Sequence, residues 1–172
     1  MPGFPRVRQT DIEITPDPEE LTDKLDRIAG GRTLSETAPR IPGGPRGARA
    51  AALQALFEED LTGHAAARSL ESLPAFAKLS PELAERARAL VRHVTANRQA
   101  LDSRIAAAAK EFPVEQLATV DRNVLRIALA ELDIEPKSPV AVIVNEAVEL
   151  ARLFGAESSP KFVNGVLGAL LR

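Results

Sequence analysis

An all-α fold is predicted by three features of the sequence. Alanine and leucine dominate while β-branched alternation is scarce, apolar residues recur at three-and-four spacing over long stretches, and Ser-Pro start signals precede several of those stretches. Aromatic residues make up only 3% of the 172 residues, and Trp and Tyr are missing. Aliphatic side chains must therefore fill the core. The length suits one domain with a sizeable core and an additional segment, and the spacing predicts about six to seven helices.

Residues 1–45 hold 7 of the 13 prolines and 5 of the 10 glycines, a density that argues against a packed core. A flexible N-terminal extension is expected there. Within it, residues 18–28 could form a short acidic helix with Leu21, Leu25 and Ile28 on one face. Residues 46–172 are expected to form the helical domain. Its first helix, over residues 46–61, has Leu53, Leu56, Phe57 and Leu61 as a buried stripe and Gly63 as its end. Arg46 and Arg49 sit in its first turn, where the helix dipole disfavours cations. They read as phosphate contacts, joined by Arg40 from the extension, or as solvated side chains at a frayed end.

A short helix over residues 65–73 precedes Pro74, and Ser80-Pro81 then opens a long helix reaching residue 110, with Leu83, Ala87, Leu90, Val94, Leu101, Ile105 and Ala108 on its apolar face. Arg86, Arg88, Arg92, Arg98 and Arg104 spread around this cylinder as a solvated surface, and Asn97 is expected to be buried. Thr119 caps the next helix, with Asp121 in its first turn. Val120, Val124, Leu125, Ile127, Ala128, Leu129 and Leu132 leave that helix little polar surface, so others should wrap around it. Ser138-Pro139 and Ser159-Pro160 start two final helices, the first stopped by Gly155 as a left-handed cap. Gly165 and Gly168 interrupt the last apolar face and suggest that another backbone packs close.

The formal net charge is −2, with 6 Lys+Arg against 8 Asp+Glu in residues 1–45 and 16 against 16 in residues 46–172. Any affinity for nucleic acid must come from a local patch. There is no cysteine for a disulfide, thiolate nucleophile or thiolate metal site. The sequence has no Walker A loop, no dinucleotide fingerprint and no paired-histidine helix. His64 and His93 read as surface or capping residues. No enzyme activity, metal or other cofactor is expected. No apolar run reaches the roughly 20 residues that span a bilayer and no signal core opens the chain, so a cytoplasmic protein without membrane contact is expected. Asn145 and Asn164 each interrupt an apolar face; both read as core amides at the elbow, with RNA contact as the alternative for Asn164 beside Lys161 and Phe162.

The run from Val144 through Asn145, Glu146 and Ala147 to Phe154 and Gly155, followed by Lys161, Phe162, Val163, Asn164 and Gly165, resembles the C-terminal signature of the NusB antitermination family. The run from Val124 to Leu132 resembles that family's central helix, and Arg49 to Phe57 its first. The likeness extends over roughly the last three quarters of the chain. It implies an all-helical protein that binds the single-stranded boxA element of nascent rRNA transcripts jointly with a small-subunit ribosomal protein, also called NusE. Such a protein would act within the RNA polymerase elongation complex alongside other Nus factors. By the resemblance, Arg46, Arg49 and Lys161 hold phosphates, while Phe57, Asp121 and Phe162 border the protein partner and the RNA. Pro45 and Gly47 interrupt the family's denser arginine cluster, and Phe57 replaces a frequent tyrosine, so isolated RNA binding is expected to be weaker than binding in the complex. The same domain stands at the front of rRNA cytosine methyltransferases. A free-standing, non-catalytic adaptor of that type is the alternative, as is a homodimer that hides its basic face.

Overall fold

The computed structural model describes residues 42–110 and 112–171. The expected acidic helix at 18–28, and Arg40, lie outside the described residues. Six α-helices account for most of the described chain, in the order α1 (Gly44–Thr62), α2 (Ala66–Ser72), α3 (Pro81–Ala108), α4 (Thr119–Ile134), α5 (Val140–Phe154) and α6 (Ser159–Leu170). Short 3-10 turns at Phe76–Lys78 and Val114–Gln116 lead into α3 and α4.

Helix α4 is the axis. Every residue from Asn123 to Glu131 is buried, and α1, α3, α5 and α6 all pack on it. Leu125 and Leu129 are fully enclosed, and burial of such a side chain stabilises by about 1.5–3 kcal/mol. The surprise is α1. It begins at Gly44, two residues before the expected start, with Pro45 in its first turn. Its residues from Gly47 to Leu53 are all buried. Ala48, Ala50, Ala51, Ala52 and Ala55 are fully enclosed, so the helix is surrounded where the sequence suggested a stripe. At the expected end of that stripe Leu61 is 64% exposed. Gly47 is buried within this helix, where a Cβ would lie 2.4 Å from the carbonyl oxygen of Pro42, so the missing side chain makes room for the incoming chain.

The two central helices run antiparallel and are pinned at both ends. Near the start of α1, Arg49 donates to Glu131 late on α4 (Nε–Oε2 2.8 Å). Near its end, Asp60 accepts from Arg122 (3.0 Å), Asn123 (3.0 Å) and Arg126 (3.1 Å) early on α4, and from Arg98 of α3. Arg86 pairs with Glu131 and Glu135. Arg86 and Arg98 are therefore bridging residues, not the solvated decoration expected of the long helix.

Local signals fared unevenly. Ser80 Oγ does cap α3, accepting from Leu83 N at 3.4 Å. Thr119, Ser138 and Ser159 cap nothing with their hydroxyls: Thr119 lies inside α4, Ser138 Oγ donates to Glu135 (2.9 Å) and Ser159 Oγ accepts from Ala156 N (2.9 Å). Gly155 is extended, with φ −95°, and its small size matters for space, since a Cβ would lie 2.5 Å from Ser159 Oγ. Asn97 is exposed and breaks α3, with φ −117° and ψ 18°, while its Nδ2 donates to the His93 carbonyl at 2.9 Å. Asn145 and Asn164 are exposed as well, which overturns their reading as core amides. Nothing lies within 4 Å of a Cβ built at Gly165 or Gly168, so neither answers to a close backbone neighbour.

Two outcomes test this architecture. Leu125→Ala should cost about 2–5 kcal/mol in urea unfolding. For Asp60, burial alone would raise the carboxyl's pKa; hydrogen bonds from Arg98, Arg122 and Asn123 and the charge of Arg126 outweigh it and hold the group below the usual carboxylate range. The stabilisation is thus present at neutral pH and lost as pH falls below about 4. Asp60→Asn should lower the thermal midpoint clearly at pH 7, by an amount that shrinks progressively as pH falls below about 4.

Candidate nucleic-acid interface

The residues expected to form one cationic edge divide between the two ends of α4. At one end, Arg46 forms a two-pronged pair with Glu146 (Nη2–Oε1 2.7 Å, Nε–Oε2 3.0 Å) and Arg49 reaches both Glu131 and Glu146. The side chain of Arg49 is 5% exposed, against 36% for Arg46. Arg49 was expected to contact phosphate; its burial follows from the alanine-rich stretch around it and makes it a strut between α1, α4 and α5. The hydrogen bond from Arg46, against the opposing effect of burial, holds Glu146 below the usual carboxylate range. This end is therefore electrically balanced.

At the other end, α4 opens with Asp121, which is 8% exposed. Burial pushes its carboxyl above the usual range, against a hydrogen bond from Ser159 at the start of α6. Its Oδ1 has no hydrogen-bond partner. Asp121 and Glu131 are ten residues apart, about 15 Å along a helix, so the Arg46 cluster and the start of α6 are separate places. Asp121 supports the elbow from within and does not present an open surface to a partner.

That elbow aims Lys161 and Phe162 at an open groove of about 510 Å³ between α6 and the end of α3. Ala108, Ala109 and Val166 line it, with Lys110 and Phe112 forming the opposite wall. The Phe112 and Phe162 rings meet edge to face, their centroids 6.3 Å apart at 83°. Phe112 is 52% exposed. Gly165 lies in the same groove, whereas Asn164, next in sequence, points elsewhere on the exposed surface and Phe57 is half-buried on α1; neither lines it.

Charge pairing singles this groove out. Arg46, Arg49, Arg86, Arg88, Arg92, Arg98, Arg104, Arg122, Arg126 and Arg152 all have carboxylate partners. Among the described residues Arg68, Lys78, Lys110, Lys137 and Lys161 have none, and of these Lys110 and Lys161 line a groove, the same one. Lys110 and Phe112 were missed because they lie in a connection without periodicity. An exposed ring in a chain with so few aromatics was the available signal.

Among the described residues no cluster of three or more His, Cys, Asp or Glu could hold a metal, and no helix is long and apolar enough to cross a membrane. The groove of this all-helical bundle thus brings together two rings in edge-to-face contact and two lysines without a carboxylate partner among the described residues. The chain belongs to the NusB family, whose model matches residues 46–172. It is 44% identical over 125 residues to the transcription antitermination protein NusB of Dehalococcoides mccartyi, covering 73% of this chain and 87% of that one. It is 48% identical to the protein of that name from Chloroflexus aggregans, over 72% of this chain and 83% of the relative. Among solved structures, T. maritima NusB superposes with a TM-score of 0.69 at 33% identity, over 74% of this chain and 89% of that one. NusB in a structure of antitermination factors NusB and NusE in complex with dsRNA gives 0.65 at 28% identity, over 73% and 93%.

The strut and the rim arginine should separate cleanly in denaturant titrations. Arg49→Ala strands Glu131 in the interior with only Arg86 as partner and should cost about 3 kcal/mol. Arg46→Ala, at a half-open pair, should cost less than about 1 kcal/mol.

Proposed function

We propose that this chain is a transcription antitermination factor that binds boxA-type single-stranded RNA of nascent rRNA transcripts together with the small-subunit ribosomal protein NusE, within the RNA polymerase elongation complex. The observation that carries this reading is the groove in which two unpaired lysines flank two phenylalanine rings. Single strands are held by cations on the phosphates and by aromatic faces under unstacked bases, whereas a duplex keeps its bases turned inward. The relatives named as antitermination proteins support the antitermination part of this reading, and the neighbour from a structure with NusE and dsRNA supports RNA and NusE as the kinds of partner.

Within it, Lys110 and Lys161 hold phosphates, Phe162 and Phe112 supply stacking faces, and Arg46 contributes at most a rim contact after releasing Glu146. Arg49 acts on the fold alone. Phe57, half-buried on α1, and Asn164, exposed on α6, are assigned to the surroundings of the bound complex.

A mobility-shift titration over a range of salt, with boxA-like and scrambled RNA and with or without the ribosomal partner, tests the reading. Affinity should be higher with the partner present. Lys110→Ala and Lys161→Ala should each weaken binding and reduce the salt slope by about 0.7, the value for one neutralised charge on a single strand. Unchanged slopes in both variants, or binding by the isolated protein as tight as by the complex, would refute the corresponding part.

A further inference from the structure

Gly165 is hard to explain from the protein alone. It lies inside α6, where glycine is the poorest helix former after proline. Its φ does not enter the left-handed region, and nothing stands within 4 Å of the Cβ that an alanine would place there. Neither backbone conformation nor crowding inside the molecule therefore requires the missing side chain. Its surroundings offer another reason. Gly165 lines the groove one helical turn beyond Lys161, on the same face. Phe112 stands exposed on the far wall.

We propose that Gly165 is a seat for one unpaired RNA base, which lies flat on the bare backbone of α6 against the Phe112 ring while Lys110 and Lys161 grip the flanking phosphates. A methyl group at position 165 would stand between the base and the helix. Phe112, carried by a connection that ends a few residues before α4, is the stacking partner, and its edge contact with Phe162 fixes its orientation (6.3 Å, 83°). A nucleotide fits the groove better than a protein loop because the groove pairs two aromatic rings, one of them exposed, with two cations that have no carboxylate partner among the described residues. The inference rests on the RNA reading above and adds to it the residue that decides what can lie in the groove.

The experiment is Gly165→Ala in the full chain, read by thermal unfolding and by fluorescence anisotropy with a short labelled single strand and with the same RNA annealed to its complement. The melting midpoint should rise by about 2–4 °C, while single-strand affinity falls about tenfold and the duplex, already the weaker ligand, changes little. A structural glycine would move both readouts in the same direction. Phe112→Ala should lose a comparable factor for the single strand and Phe112→Trp should retain binding. If Gly165→Ala melts lower than the parent, or melts higher with unchanged single-strand affinity, the seat does not exist. If both variants spare RNA and weaken only the ribosomal partner, the groove belongs to the protein and the proposal fails. Absence of any RNA binding by the parent chain removes the RNA reading itself, an outcome distinct from the others.

Discussion

Everything in this structure depends on two helices that are enclosed on all sides and yet carry charge. Helices α1 and α4 bury Arg49, Arg126 and Glu131 along with their aliphatic residues. A buried charge without a partner costs several kcal/mol, so each must meet its opposite. The pairing is directional: Arg49 finds Glu131, and eleven residues later Asp60 finds the arginines and asparagine at the other end of α4. Only an antiparallel arrangement in one register satisfies both ends. The ionic contacts thus select the alignment, while alanine and leucine packing supplies the stability.

That constraint has an effect on function. By drawing eight of the eleven described arginines into bridges between helices, the fold leaves few cations without a carboxylate partner among the described residues. The cations that remain without a carboxylate partner among the described residues are four lysines and Arg68, and two of the lysines share a groove with the exposed ring of Phe112. A chain with no net charge in its body can in this way still carry a local concentration of lysines. Arginine richness along α3 is, in this light, a statement about assembly of the bundle.

The helices were legible because three-and-four spacing survives in α3, α4, α5 and α6, and the polar poverty of α4 marked it as the axis. The character of α1 was not legible. Alanine is small enough to be enclosed from any direction, so a run of it gives no periodic contrast, and the burial of Arg49 went unseen with it. The break at Asn97 was equally hidden, since neither proline nor glycine announces it. Lys161 and Phe162 could be found by resemblance, but the wall that faces them comes from an aperiodic connection far away in sequence, and only the folded chain brings Lys110 and Phe112 opposite. The asparagines at 145 and 164 misled because a polar residue beside apolar ones looks the same whether it is enclosed or at the margin of a face.

The discontinuity at Asn97 lies in a helix that meets α1, α2, α4 and α6, with Arg88 before it reaching Glu71 of α2 and Ala108 after it lining the groove against α6. Asp133 at the end of α4 holds both halves, through His93 before the break (3.2 Å) and Arg104 after it (3.0 Å). From Asn97 to the end of α3 at Ala108 is about 16 Å of helix, so the direction the chain takes at the break decides where Ala108, and Lys110 and Phe112 beyond it, come to stand opposite α6.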